Sequence, residues 1–441
     1  MDHLLKSLGA IVGADNLKVG AGVEAYAVDG RPPRVAAFPG TVDQLSAVLA
    51  VCHGARAAVT PWGGGTSMGL GAPPNRLDVV LGMQRLTGIL EYEPADMTST
   101  VQAGITLADY QAALGKDRQF LALDPPQPDR ATVGGIIAAN ASGPRRLRYG
   151  TARDQVLGLK VVQADGTVIK VGAKVVKNVT GYDLNKLFVG SLGTLGVIVE
   201  ATLRLYPLAA AEGTWVGAFP TIAPAADTVA RILDSPIVPS AVELLSKVAA
   251  ARVAPLAGID PGKRALLAVA VASVPEAVKS QLDAVAQLAR EAGGEGRTVE
   301  GASHDALWRA VSDVTAGTDG LVLKAALPPD RVARAFQAGE SLAERSGFDV
   351  AMVAEAGTGV VRYCIDPKVV PSGALLEAVQ WLRAFALKAR GTLVVLHAPP
   401  ALKPGLDVWG PVANGLALMR GVKAAYDPHA ILNPGRFVGG I

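Results

Sequence analysis

Thr41, Asp43 and Gln44 alternate with a set of apolar positions, Val42, Leu45, Val48, Leu49 and Cys52, that falls on one face of a 3.6-residue repeat. The Thr41 to Gln44 spacing reads as a capping box, so the pattern predicts a helix that ends near Gly54. Strand-like runs flank it, Val35 to Phe38 before and Ala57 to Thr60 after, and the three together read as a β-α-β unit. Short strand patterns follow at Leu77 to Gly82, Ile89 to Tyr92 and Ser99 to Ala103. A second helix is capped by Thr106, with Asp109 in its first turn, and finishes at Gly115. Leu157 to Gln163 and Thr167 to Val171 flank Ala164-Asp165-Gly166, a hairpin signature. Lys177 to Asp183 leads into a short helix, and the run after Gly196 reads as a strand to Tyr206.

Composition shifts at Pro207 to Gly213, the best candidate boundary. Beyond it, strands at Trp215 to Phe219, Ala265 to Ala272, Gly320 to Ala326, Val350 to Cys364 (broken by a Gly357-Thr358-Gly359 turn) and Leu393 to Leu396 alternate with amphipathic helices. Those helices are expected at Ala225 to Leu233, Pro275 to Ala292, Asp330 to Arg345 and Ala374 to Ala389, giving an α+β or α/β layer. The chain closes with a helix from Asn414 to Ala425 and a Pro/Gly-containing tail from Pro428 to Phe437.

With 441 residues, 50% of them hydrophobic, the chain can bury a large core and is expected to form two or three domains. A net charge of +3 without long runs of one sign, and 5% aromatic residues, argue against nucleic acid as a partner. Met1 to Leu17 lacks the basic flank, apolar core and cleavage site of a signal peptide. Apolar runs such as Ala265 to Ala272 fall short of the ~20 residues that cross a bilayer, so membrane contact is expected only through a partner. Cys52 and Cys364 read as buried free thiols in a reducing, cytoplasmic compartment, and no Cys/His spacing suits zinc.

The stretch with the most chemical content is Pro61 to Gly71, Pro-Trp-Gly-Gly-Gly-Thr-Ser-Met-Gly-Leu-Gly. Gly63, Gly64 and Gly65 allow close approach of main chain to a ligand, and successive amides can then converge on one anion. Thr66 and Ser67 add hydroxyl donors, and no charged residue lies in the loop, so backbone dipoles would supply the grip. The Walker pattern is excluded because Gly65 is followed by Thr66 and not Lys, and the dinucleotide fingerprint because no helix opens on these glycines. A tight connection without a ligand remains the alternative.

Further segments fit a large flat ligand. Asp124-Pro125-Pro126-Gln127-Pro128 is a rigid loop. Thr132 to Gly143 is so poor in side chain that it either lies flat against something large or packs closely as a helix. Arg145, Arg146 and Arg148 form a basic cluster, a solvated face or a functional patch. Gly190 to Gly196 is a second glycine loop, and two such loops with a small-residue segment are hard to explain as independent turns.

Taken together, Pro61 to Ser67, Asp124 to Pro126, Thr132 to Gly150, Lys177 to Leu187, Gly190 to Ile198 and Asn433-Pro434-Gly435-Arg436 resemble the FAD-binding oxidoreductases of the vanillyl-alcohol oxidase type, most of all the FAD-binding subunit of bacterial glycolate oxidase. The resemblance is strong from Arg31 to about Leu208, returns at the carboxyl terminus, and is one of pattern alone between. It implies an α+β fold: an N-terminal helical segment (1–30), a two-subdomain PCMH-type FAD-binding domain (31–210), an α+β cap or substrate domain (211–400) and a C-terminal return segment (401–441). By the same resemblance, Gly63, Gly64, Gly65, Thr66 and Ser67 would hold the FAD diphosphate, and Pro61 would belong to the same cofactor site. Pro125, Thr132, Gly134, Gly135, Ser142, Gly143, Tyr149 and Gly150 would lie along the flavin, and Ile198 at the adenosine end. Thr66 stands where covalent members often carry His, which implies non-covalent FAD.

The implied reaction is oxidation of a 2-hydroxy acid by hydride transfer to flavin, with electrons passing on to a second FAD subunit and an iron–sulfur subunit. That chemistry requires a cation for the carboxylate and a base or metal for the hydroxyl. Related dehydrogenases carry a metal motif, His-x-x-Gly-Asp-Gly-Asn-x-His; its nearest counterpart in this reading is Val394 to Pro400, with His397 alone, so no metal is expected. His397 as a lone base or a hydrogen-bonded core residue, and Arg436 in the returning tail, are the catalytic candidates. The alternative function is a flavin-bearing electron-transfer or assembly subunit whose partner does the chemistry.

Overall fold

A computed structural model of the chain describes residues 2–441 except 175–180, 263, 367–369 and 413. The chain divides into two compact units, one formed by Met1–Ser142, Thr151–Leu208 and Pro411–Ile441, the other by Gly143–Gly150 and Ala209–Gly410. The expected run from Lys177 falls largely outside the described residues, and the short helix after it spans Asn185–Phe188.

In the first unit, strands Val35–Ala37 and Val59–Trp62 both pair in parallel with Val79–Gly82, with Leu17–Lys18 antiparallel at one edge. Parallel neighbours need a crossover, supplied by the helix Val42–Ala55. It begins where the Thr41 hydroxyl accepts from the Gln44 amide at 3.1 Å, and it stops where Arg56 turns left-handed (φ 51°). Its buried face, Leu45, Val48, Leu49 and Cys52, packs with Leu4, Leu8 and Val12 of the helix Asp2–Val12. Burial first, then nearby Asp78, pushes the Cys52 thiol up to about 12, which leaves it inert. A second, five-stranded antiparallel sheet runs in the order Ile89–Glu93, Thr98–Gln102, Val197–Arg204, Val156–Val162, Val168–Gly172.

The second unit is built on an eight-stranded sheet, antiparallel throughout, in the order Glu295–Glu300, Ala211–Phe219, Ala265–Ser273, Ala241–Leu245, Val350–Glu355, Val360–Ile365, Leu321–Ala326, Thr392–His397. Helices Pro275–Glu291, Val332–Ser346 and Ser372–Lys388 pack on one face, where the Tyr363 hydroxyl donates to the Ala335 carbonyl at 3.2 Å. Helices Lys247–Val253 and Gly301–Asp313 cover part of the other through Ala249, Val253, Leu307 and Val311. Sequence periodicity missed the strands Ala241–Leu245 and Glu295–Glu300 and these two helices. Glu295–Glu300 is a mostly exposed edge rich in charge and glycine, and Ala241–Leu245 is a short run buried on both faces, which has no period to read.

Candidate functional site

Strand Val59–Trp62 ends at the glycine loop, and the loop forms one wall of a cleft within the first unit. The opposite walls come from the helix Val133–Ala139, capped by Thr132, and from the second glycine loop with the start of Val197–Arg204. Thus the segment of small residues from Thr132 is a helix, and its smallness also leaves room for the cleft: Gly134, Gly135, Ala138 and Ala139 all line it.

The glycines are required by contact as well as by conformation. A Cβ on Gly63 would sit 2.1 Å from the Thr132 hydroxyl, and one on Gly64 would sit 1.6 Å from the Arg130 carbonyl oxygen. Gly65 lies at φ +74°, a region that disfavours any side chain. The carbonyls of Gly63 and Gly64 accept from Gln84 and Arg130, both at 3.3 Å. Among the described residues, the amides of Gly63, Gly64, Gly65, Thr66 and Ser67 donate to no protein acceptor. These five residues are half-buried or exposed, so their amides are open to water or to an anion that enters the cleft. In the same cleft, Asn433 is 4% exposed, and its Oδ1 has no hydrogen-bond partner among the described residues. Both observations fit a bound dinucleotide with phosphate oxygens and ring donors.

The carboxyl-terminal segment fastens both loops. Leu432 bridges Val59 in parallel, the Asn433 amide donates to the Val59 carbonyl at 2.9 Å, and Asn433 Nδ2 reaches Leu192 in the second loop. Buried Lys423 donates to the Thr194 and Leu432 carbonyls at 2.8 and 2.9 Å and pairs with Asp427 at 2.6 Å. Arg436 Nη2 donates to the carbonyls of Met68 (2.8 Å) and Leu70 (2.5 Å). Burial pushes the Arg436 guanidinium down to about 10 even though Asp29 counteracts it.

Of the residues singled out from sequence, Pro61, Gly63, Gly64, Gly65, Thr66, Ser67, Thr132, Gly134, Gly135, Ile198 and Arg436 line this cleft. Pro125 and Ser142 belong to the same unit but are not among its lining. Gly143, Tyr149 and Gly150 belong to the other unit, where each arginine of the basic cluster has a partner: Arg145 with Glu212 (3.2 Å), Arg146 with Glu355 (3.4 Å) and Arg148 with the Ala272 carbonyl (2.9 Å). His397, also in that unit, has its Nδ1 2.6 Å from the Gly320 carbonyl, and because a carbonyl only accepts, Nδ1 carries the proton and Nε2 is the basic nitrogen. The lining residues Trp62, Met83, Ala103, Gly193, Gly196 and Asn433 were not named as site residues, although Trp62, Gly193, Gly196 and Asn433 lie in segments that the sequence marked. The second glycine loop was the available signal for two of them. Among the described residues, no cluster of His, Cys, Asp and Glu could hold a metal ion.

This arrangement has known counterparts. Residues 33–172 match the FAD binding domain family and residues 209–437 the C-terminal domain family of FAD linked oxidases. Superposition on p-cresol methylhydroxylase with substrate bound gives a TM-score of 0.77 over 99% of this chain and 96% of the other, at 17% identity, so the fold is that of the vanillyl-alcohol oxidase class of flavoproteins. The chain is 32% identical over 441 residues to a D-lactate dehydrogenase of Archaeoglobus fulgidus (94% of this chain, 96% of the relative). It is 28% identical over 435 residues to the glycolate oxidase subunit GlcD of Bacillus subtilis (94% and 92%). The chain belongs to the FAD-linked oxidase family: it is an FAD-dependent oxidoreductase of the glycolate oxidase and D-lactate dehydrogenase type. No described helix is long and apolar enough to cross a membrane.

Proposed function

We propose that this protein binds FAD non-covalently in the cleft of the first unit and oxidises a small 2-hydroxy acid, glycolate or D-lactate in class. The observation that carries the cofactor assignment is the run of five unused amides from Gly63 to Ser67, which suits the diphosphate. Thr132, Gly134 and Gly135 would take the flavin's length, and Ile198 the adenosine end. When bound, FAD supplies a hydride acceptor for the α-carbon. The chain's own work is to hold and orient. Arg436 and Asn433 keep the two loops at a fixed spacing. Similarity to a glycolate oxidase subunit supports partner subunits, and we assign to them a second FAD subunit and an iron–sulfur subunit that carry the electrons onward.

Two spectra test this. The purified chain should show oxidised-flavin bands that acid precipitation releases into the supernatant. Under anaerobic conditions glycolate or D-lactate should bleach them. A flavin that stays oxidised with both acids would transfer the chemistry to a partner subunit and leave this chain an electron carrier. A colourless chain that takes up no FAD would remove the cofactor assignment itself.

A further inference from the structure

The end of the second unit's sheet that the short helix Arg146–Tyr149 packs against carries a cluster of charge. Strand register sets Glu243 opposite Glu355 and Lys324 opposite Arg362, all on the face that farther along holds the apolar Val322 and Val353. Glu355 is 2% exposed and both its oxygens are engaged: Oε1 accepts from Arg362 Nη2 at 2.5 Å, and Oε2 lies 3.4 Å from Arg146 Nε and 3.3 Å from the Thr358 hydroxyl. Lys324 sits half-buried beside these arginines with no hydrogen bond or ion pair of its own among the described residues.

The position of the cluster matters. Gly357-Thr358-Gly359 is the hairpin turn between Val350–Glu355 and Val360–Ile365, with Gly359 at φ +76°. That turn matches the Gly-Asp-Gly of the metal motif better than Val394 to Pro400 does. Arg362 follows the second glycine by three residues, where the motif has its second histidine, and Glu355 precedes the first glycine by two. A guanidinium cannot ligate a metal, and Arg146, Arg362 and Lys324 outnumber the carboxylates Glu355 and Glu243 by one charge, so this donor set disfavours a divalent cation. The residues here do not fit the metal.

We infer that the Arg362, Lys324 and Arg146 cluster is a metal-independent anion site that takes the carboxylate of a small organic acid. Arg362 and Arg146 are held by Glu355, whose carboxylate also accepts from the Thr358 hydroxyl, so the site is formed before the ligand arrives, and Lys324 is the cation that gains a partner on binding. Burial first, then Arg362 and Arg146, press the Lys324 ammonium down to about 8, and an arriving carboxylate relieves that pressure. The identification of the ligand as the hydroxy-acid substrate rests on the function proposed above; the site itself does not.

Calorimetric titration of the full chain with pyruvate, a carboxylate with no hydroxyl to oxidise, tests the inference. Affinity should be the same before and after dialysis against EDTA, fall about tenfold or more in Lys324→Met and be largely kept in Lys324→Arg. Binding that vanishes with EDTA and returns with Zn²⁺ or Mn²⁺ would overturn it, as would wild-type affinity in a folded Lys324→Met chain. The visible spectrum of the same sample reports flavin separately. Pyruvate bound by a colourless chain would sink the cofactor assignment and leave this site standing, whereas a bleachable flavin with metal-dependent pyruvate binding would do the reverse.

Discussion

The cleft of the first unit is walled by main chain and the smallest side chains, whereas the polar end of the second unit's sheet is crowded with ionised ones. On the function and the inference proposed above, both hold a negative group, under different constraints. Five main-chain amides without a protein acceptor hold no net charge, so they suit a large ligand that stays put. Side-chain cations recruited around Glu355 bring net charge and an ionisable lysine, so they suit a small ligand that must come and go, and they expose that unit to pH and salt.

The comparison breaks most readily at Gly64. A valine there would drive its Cβ into the Arg130 carbonyl oxygen, 1.6 Å away, and backbone is what must move. FAD affinity should fall about a hundredfold, roughly 2.7 kcal/mol, read as the ratio of flavin to protein absorbance after gel filtration. Gly54→Ala, in a helix with nothing within 4 Å, should leave occupancy unchanged. Equal occupancy in both variants would mean that the cradle is elsewhere.

On the charged side, Glu355→Ala removes a carboxylate that pairs with both Arg362 and Arg146. Loss of a buried partner costs about 3–5 kcal/mol when the other charges are also dry. Arg146 and Arg362 keep 25% and 15% of their side chains exposed, so about 2 kcal/mol is expected in denaturant unfolding. A change under about 0.5 kcal/mol would show that the cluster is solvated and not preorganised.

A pH titration separates the units by sign. Lys324 is held at about 8, below its ordinary value, so it is charged and able to bind a carboxylate below that pH and loses its proton above it. Carboxylate affinity should therefore drop by about tenfold between pH 8 and 9.5, and Lys324→Met should lack this limb. Stability moves the other way. The unfolded lysine binds its proton more tightly than the folded one, so the contribution of this residue to stability rises as pH climbs from about 8 towards the unfolded value. FAD retention, resting on amides, should stay level across the same range.

What could be read from the chain divides along the same line. A main-chain cradle leaves a trace in sequence because it must exclude side chains, and Gly63 to Gly65, Gly134, Gly135 and Gly193 to Gly196 all stand out for that reason. Helices with a mixed face, such as Val332–Ser346 with Val332, Ala335, Phe336, Gly339 and Leu342 inward, were equally plain. Lys324 left no trace. A single lysine inside Leu321–Ala326 looks like any interrupted strand until register sets it beside Arg362, a residue 38 positions away. The tail behaved similarly: Asn433-Pro434-Gly435-Arg436 was recognisable as a segment, but that Asn433 ties two loops together is a matter of contacts 241 residues apart. His397 was one of the weighed candidates, and its bond to Gly320 decides only which nitrogen is basic.

The smallest effect tests whether a cap can serve the cleft as well as its helix. Thr132 and Thr41 are both N-caps, accepting from Gly135 at 3.3 Å and from Gln44 at 3.1 Å, and each alanine variant should cost about 1 kcal/mol in thermal or denaturant unfolding. Only Thr132 lines the cleft, with its hydroxyl against Gly63. Thr132→Ala should therefore also weaken FAD by several-fold, through loss of the contact that keeps Gly63 in place, while Thr41→Ala loses the same stability and retains its flavin. If both variants lose flavin equally, the cofactor responds to global stability alone, and the cleft is less preorganised than its run of unused amides implies.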